Sequence, residues 1–173
     1  MYLVSVYFDE KTNQIIQKHI NQVAKATGNQ LMLERQVPPH ITISAFETKK
    51  EEKIIEQLSK VVDDMESGSV KWVSIGQFLP YVTYITPVLS EYLHSLGEQI
   101  YNCVRAVEET EVSLYYRPFQ WFPHTTIGKQ LSSEEMQKAL EVLQRNFVPF
   151  EGKVVKIGLA KAKPYRDLFV KSF

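Results

Sequence analysis

Cysteine is all but missing from this sequence: Cys103 stands alone, so no internal disulfide can staple the fold. It falls within a helical apolar pattern, where a buried, inert thiol is the expected state. Neither sign of charge is in surplus, since 20 Lys and Arg balance 20 Asp and Glu. A net charge of zero removes the general positive field that supplies non-specific affinity for long nucleic acid, and a small or locally recognised substrate is expected instead. No apolar run reaches the ~18 residues of a membrane span. The apolar start, Met1 to Phe8, lacks a basic lead, is too short for a signal-peptide core and runs into Asp9 and Glu10. A cytoplasmic protein with no membrane partner is therefore expected. Low-complexity stretches and flexible linkers are also missing. With 44% hydrophobic residues in 173, the chain has enough material for a real core, as one soluble domain or two tightly joined lobes.

What the sequence does contain is a pattern written twice. Pro39-His40-Ile41-Thr42-Ile43 returns as Pro123-His124-Thr125-Thr126-Ile127, 84 residues later. Each copy sits among β-branched and aromatic residues behind a proline, which is tolerated at the first position of a strand, so each reads as a short strand. Alternate strand residues share a face. His40 and Thr42 therefore project together, as do His124 and Thr126, while Ile41 and Ile43 turn away.

The surrounding elements repeat as well. Tyr2 to Phe8 reads as a buried strand, and Ile15, Ile16, Ile20, Val23 and Ala24 follow at helical spacing up to Gly28. After the first motif strand, Thr48 and Glu51 form a capping box for a helix with the stripe Ile54, Ile55, Leu58, Val61, Val62 and Met65, stopped by Gly68. Val70 to Phe78 and Tyr81 to Ile85 predict two strands turning at Leu79 and Pro80. Thr86 and Pro87 predict the N-cap and first turn of a third helix, with Leu89, Leu93, Leu96, Ile100 and Val104 on its apolar face. An aromatic run, Leu114 to Phe122, leads into the second motif strand. Ser132 with Glu135 then predicts another capping box, eight residues after His124 as Thr48 is eight after His40. Met136, Ala139, Leu140, Leu143 and Phe147 line a fourth helix. Val154 to Ala162, a turn at Pro164 to Asp167, and Leu168 to Phe173 close the chain as a strand pair. The agreement between halves indicates an internal duplication, at a period too long for a solenoid and suited to two facing lobes.

Two His-x-Thr-x motifs, His40-Ile41-Thr42-Ile43 and His124-Thr125-Thr126-Ile127, at this separation are the signature of a family. The chain resembles the 2H phosphoesterases, also called the RNA ligase/cyclic phosphodiesterase or LigT-like superfamily, over nearly its whole length. The resemblance implies an α+β, two-lobed fold with pseudo-twofold symmetry, each lobe an antiparallel sheet with two helices, around a central cleft. Residues 1–173 would form a single domain built from the two related lobes. It also implies metal-independent chemistry on 2′,3′-cyclic or 2′-5′ phosphodiesters of RNA ends or nucleotides, with no cofactor. His40 and His124 would be the catalytic pair, and Thr42 and Thr126 the phosphate ligands. Many relatives carry arginine just beyond the second motif; Lys129 stands there, offering a point charge without the bidentate fork.

The chemistry accounts for the pairing. Opening a cyclic phosphate needs a base for the attacking water and an acid for the departing ribose oxygen, and imidazoles with an ordinary pKa near 6.5 serve both roles near neutrality. Each threonine hydroxyl can donate to a non-bridging oxygen. The same site would support 2′-5′ ligation in reverse. Alternation adds Ser44 to the His40 face and Phe122 to the His124 face, the latter as a stacking surface for a base. Most of the remaining aromatic run is expected in the core. Competing readings are a structural role for each His, a zinc site, for which no third ligand is evident, and a binding module that recognises cyclic-phosphate or 2′-5′ ends without turnover. His19 and His94 are expected to be structural or merely solvated. Lys153, Lys156, Lys161, Lys163 and Arg166 either flank a cleft or form the solvated side of a hairpin, the latter being favoured. A monomer is expected.

Overall fold

Tyr2–Phe8 forms β1, with Tyr2, Val4, Val6 and Phe8 in the core. Asp9 caps helix α1 (Glu10–Thr27) by accepting from Thr12 N, and Gly28 ends it in the left-handed region at φ 80°, where a side chain would be strained. A short α2 (Leu31–Glu34) precedes the two prolines. The first motif opens β2 (His40–Thr48), followed by α3 (Glu51–Asp63) and the hairpin β3 (Gly68–Phe78) and β4 (Val82–Pro87). The rest of the chain forms α4 (Glu91–Arg105), β5 (Thr110–Val112), a 3-10 turn at Leu114–Tyr116, β6 (Thr125–Lys129), α5 (Ser133–Asn146), β7 (Phe150–Ala162) and β8 (Tyr165–Ser172). This computed structural model describes all residues from 1 to 173. No helix is long and apolar enough to cross a membrane.

All strands pair antiparallel, in the order β5-β2-β1-β7-β3-β4-β6, with β8 added to β7. The two lobes share β7. Its start, Phe150 to Val154, pairs with β3, whereas Val154 to Ala162 lies between β1 and β8. The first lobe is thus β5, β2, β1, the end of β7, and β8, covered by α3 and α4. The second is β6, β4, β3 and the start of β7, covered by α1 and α5. β2 and β6 lie far apart along the hydrogen-bonded path, separated by β1, β7, β3 and β4, yet the sheet curls until their Cα atoms come within 8 Å.

The two halves of the sequence are interleaved in space. β1-α1-β2-α3-β3 corresponds to β4-α4-β6-α5-β7, but α1 and β3 from the first half complete the second lobe, while α4 and β7 from the second half complete the first. Trp72 of β3 sits where these pieces meet. It is fully buried, stacked on Phe150 at 4.9 Å, edge-on to Phe8 at 4.9 Å, and its indole N–H donates to Thr125 Oγ1 at 3.2 Å.

Several local expectations need correction. Thr48 does not cap α3: β2 continues through Thr48 to pair with Thr110, so the helix starts later, from Lys50, and Thr48 Oγ1 accepts from Lys50 N instead. The cap lies ten residues after His40 but eight after His124, where Ser132 and Glu135 do form the capping box. Gly68 opens β3, and α3 ends at Asp63. Thr86 and Pro87 finish β4, and Ser90 caps α4 through Leu93 N. The aromatic run forms no strand. Pro118 and the left-handed Phe119 at φ 63° break it, leaving Leu114, Tyr115, Phe119 and Phe122 exposed, and only Tyr116 and Trp121 packed on the core.

Candidate active site

Both motifs are held by the same local device. His40 Nδ1 lies 2.9 Å from the Pro38 carbonyl, and His124 Nδ1 lies 2.9 Å from the Phe122 carbonyl. A carbonyl only accepts, so Nδ1 carries the proton in each ring and Nε2 is the atom left to exchange protons with a ligand. Along both motifs exposure alternates identically: the histidine and the threonine two residues on are half-buried, and the residues between and after them are sealed.

A β-bulge also repeats. In the pairing of β1 with β2, Ser5 faces Thr42 and Val4 faces Ser44, which leaves Ile43 as the extra residue. In that of β4 with β6, Tyr84 faces Thr126 and Thr83 faces Gly128, which leaves Ile127. A bulge shifts every following side chain to the other face. Ser44 is therefore sealed in the core with its hydroxyl unpartnered, and does not share the His40 face as alternation predicts. The same shift carries Lys129, opposite Val82, onto the face of Tyr84 and Thr126.

The halves meet at this point. Trp121 Nε1 donates to the Thr42 carbonyl at 3.0 Å, tying the segment before His124 to the free edge of β2. Ser5 Oγ lies 3.4 Å from Thr42 Oγ1, and the Tyr116 phenol sits against the same hydroxyl. Burial holds both imidazoles below their ordinary pKa of 6.5, opposed in each by the carbonyl that accepts from Nδ1. His40 is lowered further by the neighbouring charges of His124 and Lys129, which places both near it.

The two flanks of the pair differ. On the His124 side, Phe78 stands edge-on at 4.8 Å and Tyr84 at 5.6 Å, and Phe122 packs on both, so half-exposed Phe122 and Phe78 form an aromatic wall. On the His40 side, Tyr7 is the cross-strand neighbour, with rings 6.1 Å apart. Sequence reasoning missed Ser5, Tyr7, Phe78, Tyr84 and Tyr116, because each reaches the site through strand register or a loop path that spacing does not encode. His19 is buried against Phe147 and bonded to Gln22, and His94 pairs with Glu98 on the surface beside Phe119. Of the tail cations, Lys161 and Arg166 close on Glu51. Nowhere do three His, Cys, Asp or Glu side chains converge.

A family model described as the 2′-5′ RNA ligase superfamily matches residues 14–165. Among solved structures, E. coli LigT complexed with 3′-AMP shares the fold at a TM-score of 0.64 and 14% identity, covering 99% of this chain and 97% of that one. E. coli LigT complexed with NADP+ gives 0.58 at 16% identity, covering 99% and 96%. The MHV ns2 PDE domain gives 0.54 at 12% identity, covering 100% of both chains. No curated protein sequence matches the chain.

Proposed function

The chain belongs to the 2′-5′ RNA ligase superfamily, the 2H phosphoesterases, an assignment of phosphoesterase or ligase type, and from that premise we propose a metal-independent phosphodiesterase. It opens 2′,3′-cyclic phosphates, or cleaves 2′-5′ phosphodiesters, of RNA ends or nucleotides, and in the reverse of that cleavage a 5′-hydroxyl attacks the cyclic phosphate to form a 2′-5′ linkage. The observation that carries this is the duplicated suspension of the two imidazoles: Nδ1 fixed by the carbonyl two residues back, Nε2 free, and a threonine hydroxyl two residues on.

In hydrolysis one neutral imidazole takes a proton at Nε2 from water as the water oxygen bonds to phosphorus. The bond from phosphorus to the departing ribose oxygen breaks, and that oxygen takes the Nε2 proton of the other, charged imidazole. One histidine gains the proton the other loses, so the pair begins the next cycle with roles exchanged or re-equilibrated through solvent. Thr42 and Thr126 donate to non-bridging oxygens, and Lys129 adds a positive charge beside them. The aromatic wall of Phe78 and Phe122 stacks a base. The ribose oxygen is already tethered to phosphorus, so positioning supplies much of the rate.

Incubation with a 2′,3′-cyclic mononucleotide in excess EDTA, followed by assignment of the phosphate position in the product, tests the proposal. Turnover to a single monoester isomer is expected, with His40→Ala and His124→Ala each lowering it by ~10²-fold or more. Near-normal turnover in folded His124→Ala protein, or loss in EDTA that zinc restores, overturns the mechanism.

A further inference from the structure

A pocket of about 620 Å³ adjoins the His40 side of the site. Pro38 and Tyr7 line it, one the carbonyl partner of His40 and the other its cross-strand neighbour, so the wall that holds His40 is also a wall of this pocket. Its size lies within the ~300–1,000 Å³ of small-molecule sites. Nothing in the proton-transfer scheme uses it.

Its polar groups are uncommitted. Asn13 donates from Nδ2 to the Phe8 carbonyl at 2.9 Å, but its Oδ1 is buried without a partner, a state that costs free energy unless a ligand supplies a donor. Arg35 and Lys156 line the pocket without an ion pair, although Lys161 and Arg166 further along the hairpin are both closed on Glu51. Asp167 is the one opposing charge, and one of its oxygens already accepts from the Tyr165 hydroxyl at 2.8 Å. Tyr165 in turn sits against Tyr7, and the two rings offer apolar surface. The pocket thus combines two free cations, an unsatisfied buried acceptor and aromatic faces.

We infer that this pocket is a second nucleotide subsite, which takes the nucleotide on the 5′ side of the terminal one while the aromatic wall at His124 takes the terminal base. A neighbouring nucleotide has what the lining lacks: a phosphate for Arg35 and Lys156, and N–H or O–H donors for Asn13 Oδ1. The inference rests on the phosphodiesterase reading and narrows it, making the substrate an oligonucleotide end rather than a free mononucleotide.

Binding of the stable products separates the two. Calorimetry would compare a trinucleotide ending in a 2′-phosphate with the corresponding nucleoside 2′-phosphate, on wild type and on Arg35→Gln and Lys156→Gln. Wild type is expected to bind the trinucleotide at least about tenfold more tightly, and each variant to shrink that ratio several-fold, with Arg35→Lys recovering part of it. Equal affinity of wild type for both ligands, or an unchanged ratio in both variants, overturns the subsite. Absence of turnover on the 2′,3′-cyclic forms of both the trinucleotide and the mononucleotide would strike the phosphodiesterase reading instead, and the binding ratio would still decide the pocket.

Discussion

His40 and His124 both favour the neutral imidazole in the free protein, since burial opposes the charged form in each. A phosphate between them reverses the balance by supplying the missing counter-charge. Both rings are expected to titrate below 6.5 without ligand and to move upward when inorganic phosphate is added, as followed by NMR of the ring carbons; a free value above 6.5 would contradict the geometry. The rate should fall at both pH extremes, with limbs that belong to the pair and not to either residue. Thr42→Ala and Thr126→Ala should each lower turnover about ten- to a hundredfold, through loss of one hydrogen bond to a charged oxygen worth roughly 1.5 to 3 kcal/mol. Ser44→Ala is expected to leave turnover unchanged and stability equal or higher, because its buried hydroxyl has no partner to lose. That His40 shares a face with Thr42, and His124 with Thr126, was legible from spacing alone, as alternation within two or three positions is robust. Ser44 was not, because the bulge at Ile43 leaves no mark on composition or period. Asn13 and Tyr7 were hidden for another reason: register between strands and helices decides what they touch.

Capping makes the same point for whole elements. Ser-x-x-Glu at Ser132 became a reciprocal cap, while Thr-x-x-Glu at Thr48 did not, because β5 draws β2 two residues further and takes the Thr48 hydroxyl into a bond with Thr110. Identical local chemistry was overridden in one copy by tertiary pairing. Ser132→Ala should therefore cost about 1 kcal/mol in denaturant unfolding. Helices α1, α4 and α5 and the hairpin β3–β4 follow the expected periodicity closely. The run before His124 does not, since apolar content predicts burial only where a surface is left to cover it. Here only Tyr116 and Trp121 of the run meet the free edge of β2, both at Thr42.

At the scale of the whole molecule, pH should act on stability through the same histidines. His19, His40 and His124 all have imidazoles lowered by burial, so the unfolded chain binds more protons than the folded one between their lowered values and 6.5. Stability is fully present above 6.5 and is expected to decline as pH falls through that window, with a matching fall in Tm by calorimetry. Trp72→Ala should cost ~3–5 kcal/mol and loosen both lobes together, because the indole touches Phe8 and Thr125 from opposite sides.

The exchange of α1 and β3 against α4 and β7 has a consequence for how such a molecule is assembled. Neither half-chain contains a finished lobe, so a cut at the exposed Leu79 turn should yield two fragments that stay largely unfolded apart and regain helical content when mixed in equal amounts. Each fragment brings one His-x-Thr strand. Two copies of a single half-length ancestor, swapping the same pieces, would close around a twofold axis with one reaction centre on it and one histidine from each copy. Fusing the copies turns a centre that exists only above a dissociation constant into one that survives any dilution, and frees its two sides to diverge into an aromatic wall and a cationic pocket.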